Sequence, residues 1–208
     1  MDLSLHPALD LISERTSVDK FDPGFEVDDS VLQTLTFYAT EAPSAYNLQN
    51  WRFIAVKSAA RKQSLAQAAY GQRKVADAAV TFIVCGRLDA HLELGLTLLP
   101  FHDEGYISEK ELADWVGDAQ SAFEDKPAKQ RDEAIRSASL ASMNLMLAAQ
   151  AMGLCTAPVG GFDADAVRQT FGLRSEDLPV MLIAVGKPAT GNWPRKRRRP
   201  VAEVLQVQ

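Results

Sequence analysis

Polar and basic side chains suited to an anionic or flat heteroaromatic ligand are gathered in separated segments of the chain. In the first segment, SERTSVDKF (13–21), Arg15 and Ser17 stand two residues apart. Arginine forms bidentate hydrogen bonds with phosphate and serine adds a short donor, so this pair suits a phosphate, while Arg15 taken alone also fits a solvated residue at a helix end. The second segment, APSAYNLQNW (42–51), holds a serine and three side-chain amides. This exceeds what a turn needs, so these groups are predicted to face a ligand or to hydrogen-bond the loop to itself.

Two further segments and a basic run complete this set. YGQRKVADA (70–78) places Lys74 just before a predicted buried strand, and GLCTAPVGGFD (153–163) has glycines that let a ligand approach the backbone closely. Residues 195–208 include five consecutive basic residues and one glutamate, a local charge of +4 in a chain of net charge −5. The rest of the chain therefore carries −9. An acidic body with one basic run predicts a local anion site and disfavours a nucleic-acid-binding patch.

Motifs for several other chemistries are missing from the sequence. It contains no G-x-G-x-x-G, no G-x-x-x-x-G-K-[ST] and no G-x-S-x-G. His6, His91 and His102 lie far apart and lack metal-ligand spacing, so no metal site is predicted. Cys85 and Cys155 form no C-x-x-C and are too few for a disulfide framework, which favours a reducing, cytoplasmic setting. Cys155 is interpreted as a small buried hydrophobe rather than a redox thiol.

The elements that must position these residues mix helices and strands without a regular βαβ repeat. Ser108 and Glu111 form a capping-box signature for a helix that runs to Phe123. Apolar periodicity predicts further helices over 28–42, 58–71 and 129–153 and from Asp163, and strands at 51–57, 78–86, 178–186 and 201–208. This pattern favours an α+β fold with three layers over a Rossmann fold.

The helix predicted over 129–153 is the longest element, about 35 Å at 1.5 Å per residue. Its second half is apolar or small on every side, which predicts burial in the core or under a second subunit. With 208 residues, 47% of them hydrophobic, the chain fits one domain over 1–208. No apolar run reaches the roughly 18 residues of a membrane span, and the N-terminal stretch lacks the features of a signal peptide.

In this order and spacing, the segments resemble the FMN-dependent nitroreductase family over nearly the whole chain, from Arg15 to Pro200. The loop APSAYNLQNWRF carries the strongest match, because the family pattern there is A-P-S-x-x-N-x-Q-P-W. The resemblance implies a central mixed, mainly antiparallel β-sheet flanked by helices, and a homodimer with the long helix at its interface. It also implies bound FMN, NADH or NADPH as co-substrate, a small-molecule electron acceptor, and no nucleic-acid or membrane partner.

Each segment then has an implied role at an FMN site shared by two subunits. The loop at 43–47 is expected from the other subunit, Lys74 beside the N1/O2 edge of the ring, and Gly160 with its neighbours opposite N5. No side chain is implied as a catalyst, because the flavin carries the chemistry. The expected FMN contacts, including the basic residues for the phosphate, are Arg15, Thr16, Ser17, Asp19, Pro43, Ser44, Ala45, Asn47, Gln72, Lys74, Pro158, Val159, Gly160, Gly161, Lys196 and Arg198.

Four positions depart from the family pattern. Asp19 stands where the family usually has a basic residue near the pyrimidine edge of the ring, and Asn50 replaces the proline of Q-P-W. Gly71 replaces a ring-contacting asparagine of some members, with Gln72 as the candidate substitute, and Gly160 replaces a frequent glutamate. The Asp19 carboxylate would oppose flavin reduction unless it pairs with a cation, for which the candidates are Lys74, Lys20 and Arg52.

The resemblance implies an FMN-dependent NAD(P)H oxidoreductase that reduces nitroaromatic, quinone or other electron-poor acceptors by ping-pong hydride transfer through N5. Two alternatives stay open: a flavin-storing or flavin-sensing protein with little turnover, which Asp19 favours, and a divergent member such as a dehalogenase, a dehydrogenase or a flavin-fragmenting enzyme. The variable segment 94–123 is expected on the substrate side, and the arm 195–208 at the phosphate. Candidate substrate-contacting aromatics are Phe101, Tyr106, Trp115 and Phe123.

Overall fold

The computed structural model describes residues 7–208, so His6 lies outside the described residues. Within them, eight α-helices and four β-strands follow one another along the chain. The helices are α1 (Pro7–Glu14), α2 (Asp29–Thr40), α3 (Ala59–Ala68), α4 (Arg73–Asp77), α5 (Leu94–Asp103), α6 (Glu109–Phe123), α7 (Pro127–Ala151) and α8 (Ala164–Phe171). The strands are β1 (Trp51–Val56), β2 (Val80–Arg87), β3 (Cys155–Val159) and β4 (Asp177–Gly186).

The four strands form one sheet in the order β1–β2–β4–β3, and each neighbouring pair is antiparallel. The central pair β2 and β4 places Ile83 opposite Leu182, while β1 and β3 form the two edges. A parallel pairing is present as an isolated bridge between Ser17 and Thr156, beside β3. The predicted α+β fold with a mainly antiparallel sheet is therefore confirmed.

Helices cover both faces of the sheet. Successive side chains of a strand point to opposite faces, so neighbouring residues of β2 pack against different helices. Phe82 and Val84 pack against α2 and α7, whereas Ile83 and Cys85 pack against α3, α4 and α8. Strand β2 is thus buried on both faces, as its continuous apolar run predicted. Each large apolar side chain buried in this way stabilises the fold by roughly 1.5–3 kcal/mol. The result is the predicted three-layer arrangement of helix, sheet and helix.

Gly86 allows a close approach between the sheet and α7. A Cβ atom at this position would lie 2.5 Å from the carbonyl oxygen of Ala134, which is closer than Cβ atoms in folded proteins come to non-bonded atoms. Any side chain at position 86 would therefore push α7 away from the sheet. The glycine is required here by space rather than by an unusual backbone angle.

Helices α6 and α8 begin with the capping residues that the sequence predicts. The Ser108 hydroxyl accepts a hydrogen bond from the backbone N–H of Glu111, and the Glu111 carboxylate accepts one from the backbone N–H of Ser108. Asp163 accepts hydrogen bonds from the backbone N–H groups of Asp165 and Ala166 at the start of α8. Each cap uses residues within one turn of the helix, which is why a single sequence reveals it.

One sequence prediction is contradicted by the structure, and a second is met only in part within one chain. The strand predicted over 201–208 is wrong, because Val201–Glu203 form a short 3-10 turn and the residues that follow belong to no helix or strand. Alternating apolar residues do not hold a strand without ladder hydrogen bonds to a neighbour. Burial around the second half of α7 is also incomplete within one chain: Leu145 is buried against the sheet, but Leu140 on another face is 42% exposed.

The described residues show neither a membrane-crossing helix nor a metal-ligand cluster. Within residues 7–208, no helix combines the length and the apolar character that crossing a bilayer would require. Over the same residues, His, Cys, Asp and Glu side chains do not gather in threes as a metal site would need. His91 instead packs beside the ring of Phe123, and His102 lies next to Asp103.

Candidate functional site

A cleft of about 450 Å³ lies beside β3, at one edge of the sheet. Cavities of roughly 300–1,000 Å³ are typical of small-molecule sites in proteins. The lining residues come from four separate parts of the chain and are Thr16, Ser17, Val18, Asp19, Lys74, Ala157, Pro158, Trp193, Pro194, Lys196 and Arg198. The structure thus gathers in one place residues from the N-terminal segment, from α4, from β3 and from the C-terminal arm.

A second depression of about 390 Å³ lies between α2 and β1, next to the opposite edge of the sheet. Its walls contain no charged side chain and are formed by Leu32, Gln33, Thr36, Phe37, Thr40, Phe53, Ala55 and Phe82. The cleft beside β3, by contrast, is lined by Lys74, Lys196 and Arg198. Charge therefore distinguishes the two, and the cleft beside β3 is the one suited to an anionic ligand.

Backbone hydrogen bonds fix the segment 16–22 beside β3. The N–H of Val18 donates to the carbonyl of Thr156 over 3.1 Å, and the N–H of Asp22 donates to the carbonyl of Lys187 over 2.9 Å. Val18 is buried, while its neighbours Ser17 and Asp19 are exposed. Because side chains of an extended segment alternate, these pairings turn Ser17 and Asp19 towards the cleft.

Asn192 ties the C-terminal arm to the same segment. Its side-chain Oδ1 accepts hydrogen bonds from the backbone N–H groups of Asp19 over 2.7 Å and of Lys20 over 2.9 Å. Its Nδ2 donates to the carbonyls of Lys20 over 2.8 Å and of Ala189 over 2.9 Å. This clamp brings the arm back over the cleft, so that Lys196 and Arg198 reach it. Asn192 was not among the site residues predicted from the sequence.

Arg15 precedes Thr16 of the cleft lining and lies near Arg195 and Arg198, although its own side chain does not line the cleft. Its Nη1 atom is buried and has no hydrogen-bond partner in the described chain. Burial, followed by the nearby charges of Arg198 and Arg195, lowers the pKa of the Arg15 guanidinium. The Arg198 guanidinium donates within the arm to the carbonyl of Lys196 over 3.1 Å. Gathered guanidinium groups with an unused buried donor fit a phosphate dianion, which would supply both the missing charge and the missing acceptor.

Lys74, another cation of the cleft, forms an ion pair with Asp19. Lys74, on α4, lies with its Nζ 3.0 Å from Oδ1 of Asp19. The Lys74 side chain is 23% exposed and that of Asp19 64% exposed, so the pair stands at the mouth of the cleft. Among the three candidate partners for Asp19, Lys74 is the observed one, and Arg52 instead binds Asp177.

Gln72 joins α4 to the segment that follows β3. Its Nε2 donates to the carbonyl of Gly161 over 2.7 Å and to that of Ala69 over 3.0 Å. The Gln72 amide nitrogen is thus already used within the protein. The side chain of Val159 is buried in the core, which leaves only its backbone for a ligand. At Gly160, a Cβ atom would meet nothing within 4 Å, so the space in front of this backbone is open.

The loop 42–50 has a strained but well-connected backbone. Tyr46, Asn47 and Gln49 have φ angles of +54°, +58° and +46°, a region that residues other than glycine rarely adopt. The Ser44 hydroxyl accepts from the N–H of Gln49 over 2.9 Å, and the N–H of Ala45 donates to the buried Glu133 over 3.3 Å. The side-chain amides of Asn47 and Gln49 make no hydrogen bond within the described residues.

The loop does not line the cleft of its own chain. It precedes β1, whereas the cleft lies beside β3 at the other edge of the sheet. Neighbouring strands are about 4.8 Å apart, so the edges of this sheet are roughly 14 Å apart. Pro43, Ser44, Ala45 and Asn47 are therefore separated from the rest of the predicted site within one chain.

The four aromatic candidates of segment 94–123 differ in exposure. Phe123 is buried with Leu94 and Leu98 and belongs to the core. Phe101 and Tyr106 are exposed and stack with ring centroids 4.9 Å apart, and Trp115 is also exposed. None of the four lines the cleft within the described chain.

The two cysteines are poor nucleophiles at neutral pH. Burial raises the pKa of the Cys85 thiol to about 12 and also raises the pKa of Cys155. A thiolate is needed for redox or nucleophilic chemistry, so both thiols are held in the unreactive form. Cys155 is half-buried and packs against the apolar cluster of Val18, Phe21 and Ala157, so it is a partly buried apolar residue rather than the fully buried one predicted.

Comparisons with known proteins extend over nearly the whole chain. The family model described as the nitroreductase family matches residues 12–187. The "Putative NAD(P)H nitroreductase MhqN" of Bacillus subtilis (strain 168) is 34% identical over 203 residues, 94% of this chain and 96% of that protein. The CLA biosynthesis enone reductase of Lactiplantibacillus plantarum is 29% identical over 184 residues, 86% of this chain and 85% of that protein.

A solved structure gives the same result for the fold. The protein from Exiguobacterium sibiricum 255-15, determined in complex with FMN, is 26% identical and covers 98% of both chains with a TM-score of 0.89. The family match covers well over half of the chain, and the MhqN relative exceeds 30% identity over almost all of it. The chain therefore belongs to the nitroreductase family of oxidoreductases.

Proposed function

We propose that the cleft beside β3 binds FMN and that the protein is an NAD(P)H-dependent oxidoreductase. The observation that carries this proposal is the set of cations lining the cleft, Lys74, Lys196 and Arg198, with Arg15 close to Arg198. When bound, FMN supplies the redox chemistry by taking a hydride at N5 from NADH or NADPH and passing two electrons to an acceptor in a ping-pong cycle. The protein residues bind and orient the cofactor and tune its electrostatics.

The residues of the cleft divide by the part of FMN that they would hold. Arg15, Lys196 and Arg198 would bind the phosphate, and Ser17 would donate to the phosphate or the ribityl chain. Lys74 would stand beside the N1/O2 edge of the ring. The backbone of residues 158–161, fixed by Gln72, would lie opposite N5, where the small Gly160 leaves room for substrates to stack on the ring.

A second copy of the chain would complete each site. The loop 42–50 and the cleft lie at opposite edges of one sheet, roughly 14 Å apart. The loop nevertheless presents two side-chain amides, which have no hydrogen-bond partner within residues 7–208, on a strained, hydrogen-bonded backbone. A homodimer packed through the exposed face of α7, which includes Leu140, would bring the loop of one copy to the cleft of the other.

The acceptors that fit this site are flat, electron-poor molecules that can stack on the exposed ring face after the nicotinamide has left. These are nitroaromatics, quinones and conjugated carbonyl compounds, and the enone reductase relative supports the last class. The flavin-storing alternative relied on an Asp19 carboxylate opposing reduction. Asp19 is paired with Lys74, so its carboxylate is not the uncompensated anion on which that alternative relied.

An anaerobic absorbance titration of the purified protein tests the proposal. We expect a flavin spectrum close to stoichiometric with the chain, and bleaching of that band on addition of NADH or NADPH. Reoxidation by a nitroaromatic, a quinone or an enone would then identify the acceptor class. A protein that binds no flavin after incubation with FMN would contradict the proposal, and a bound flavin that neither nucleotide reduces would contradict its enzymatic part.

A further inference from the structure

The cleft contains two kinds of cation, and only one kind has an acidic partner among the described residues. The pKa of Arg15 is lowered first by burial and then by the charges of Arg198 and Arg195, whereas Lys74 forms an ion pair with Asp19 at 3.0 Å. Asp19 lines the cleft itself. Its carboxylate therefore acts inside the site and changes the charge that a ligand in the middle of the cleft would meet.

The position of Asp19 is set by its backbone. Asn192 accepts hydrogen bonds from the N–H groups of both Asp19 and Lys20, and the neighbouring Val18 N–H is bound to Thr156. Three successive N–H groups are thus held, which leaves the Asp19 side chain little freedom other than its own rotation. The approach to Lys74 is a consequence of this arrangement rather than a chance surface contact.

We propose that Asp19 is a redox-tuning residue that lowers the reduction potential of the bound flavin by neutralising Lys74. This inference depends on the proposed binding of FMN in the cleft. The carboxylate would make the reduced cofactor a stronger electron donor to the acceptor and would make its reduction by nicotinamide less favourable.

The physical basis is the charge that reduction creates. The hydride from the nicotinamide brings two electrons and one proton, the nicotinamide leaves oxidised, and the ring gains one negative charge at its N1/O2 edge. An unpaired Lys74 would stabilise that charge, because a fixed cation close to a developing anion lowers its energy. A Lys74–Asp19 pair has no net charge and stabilises it much less. Since Asp19 is 64% exposed, solvent reduces the effect to a moderate size.

The reduction potential of bound FMN tests the inference directly. The Asp19→Asn variant keeps the backbone N–H that binds Asn192 but removes the charge. We expect the equilibrium constant for reduction to rise about tenfold, which for a two-electron couple is about +30 mV. The Asp29→Asn variant is the matched control, because Asp29 forms a similar exposed pair with Lys57 at 2.7 Å and does not line the cleft.

Three further variants separate the effect of charge from that of structure. Asp19→Glu retains the carboxylate and is expected to stay within threefold of the wild-type equilibrium constant. Lys74→Met leaves an unpaired carboxylate and is expected to lower the constant about tenfold, whereas the double variant Asp19→Asn/Lys74→Met is expected to return it close to the wild-type value. A double variant that keeps the constant of Lys74→Met would overturn the inference.

The possible results also distinguish this inference from the proposed function. Failure of the wild-type protein to bind FMN would end both. Normal FMN binding and reduction by NAD(P)H, together with an Asp19→Asn potential equal to that of the wild type, would overturn only the role of Asp19. A potential that rises in Asp19→Asn but not in Asp29→Asn is the result that the inference predicts.

Discussion

Two clusters of arginines, one around Asp177 at the start of β4 and one around Arg15 after α1, differ in whether their charge is balanced. Around Asp177, Arg52 and Arg174 close on one fully buried carboxylate, with Arg174 Nε and Nη2 at 3.2 and 3.0 Å. Around Arg15, the neighbouring charges are those of Arg195 and Arg198, and a buried guanidinium nitrogen has no partner in the described residues. The first cluster has its anion within the chain, and the second lacks one.

The difference indicates what each cluster is for. A balanced buried cluster contributes to the fold, because its charges are already satisfied without a ligand. An unbalanced cluster costs stability in the free protein and recovers it when an anion binds. The Lys74–Asp19 pair lies between these two types, since it is balanced but stands at the mouth of the cleft.

Removing the anion of the balanced cluster should have the largest effect on stability. We expect Asp177→Asn to lower the free energy of unfolding by about 3 kcal/mol, measured by urea denaturation. This is the lower end of the range for a broken buried pair, because Arg52 and Arg174 are 40% and 46% exposed and stay solvated. As a control, Asp165→Asn breaks an exposed pair with Arg168 and should cost less than about 1 kcal/mol.

The pH dependence of the free energy of unfolding gives a second test of the role of the Asp177 carboxylate. Burial raises the pKa of Asp177, but hydrogen bonds from Arg174 and Arg52 outweigh it, so the pKa is lower than usual in the folded protein. The stabilisation is therefore complete above the unfolded-state value of about 3.9 and is lost as the pH falls through the folded-state pKa. The difference in free energy of unfolding between wild type and Asp177→Asn should narrow below about pH 4. A difference that stays constant with pH would contradict this assignment.

Removing a cation of the unbalanced cluster should weaken FMN binding rather than the fold. Hydrogen bonds to charged groups contribute about 1.5–3 kcal/mol, so Arg198→Ala should raise the Kd of FMN about 10- to 100-fold. Arg197→Ala removes the adjacent charge of the same basic run, but Arg197 does not line the cleft. Its Kd should stay within about threefold of wild type, as titration of the apoprotein with FMN would show.

Arg15→Met should have the smallest effect on stability when it is measured in the absence of FMN. The substitution removes a guanidinium whose buried Nη1 has no hydrogen-bond partner among the described residues and replaces it with an apolar side chain, so the apoprotein should lose no stability in thermal unfolding. The stabilisation that FMN normally adds should be much reduced in the same variant. An apoprotein that is strongly destabilised by Arg15→Met would show that Arg15 has a structural partner and would remove the contrast with Asp177.

Features of the fold that depend on residues close together in the chain could be predicted from the amino-acid sequence. The capping box of Ser108 and Glu111 and the buried strand β2 each involve short local patterns, and both are present. Helix α4 has five residues, too few to show a helical period, and β3 lies inside a glycine-rich stretch that indicated only a loop. These elements form because the sheet and its helices surround them, which no local pattern encodes.

The candidate site shows the same division. Its cations were predicted because their residue types and order resemble a known family. Asn192 was missed, because it acts on Asp19 across 173 residues and a single asparagine near a glycine normally indicates only a turn. The pairing of Asp19 with Lys74 was one of three alternatives, and only the three-dimensional arrangement selects it.

Comparing FMN with riboflavin as ligands of the apoprotein tests the central claim most directly, because the two differ only in the phosphate. If the unbalanced arginine cluster is a phosphate site, riboflavin should bind at least about 100-fold more weakly than FMN, the effect of losing several charge-assisted hydrogen bonds. Arg198→Ala should narrow this difference, and Asp177→Asn, assayed under conditions where it is folded, should preserve it. Equal affinities for the two flavins in the wild-type protein would contradict the account.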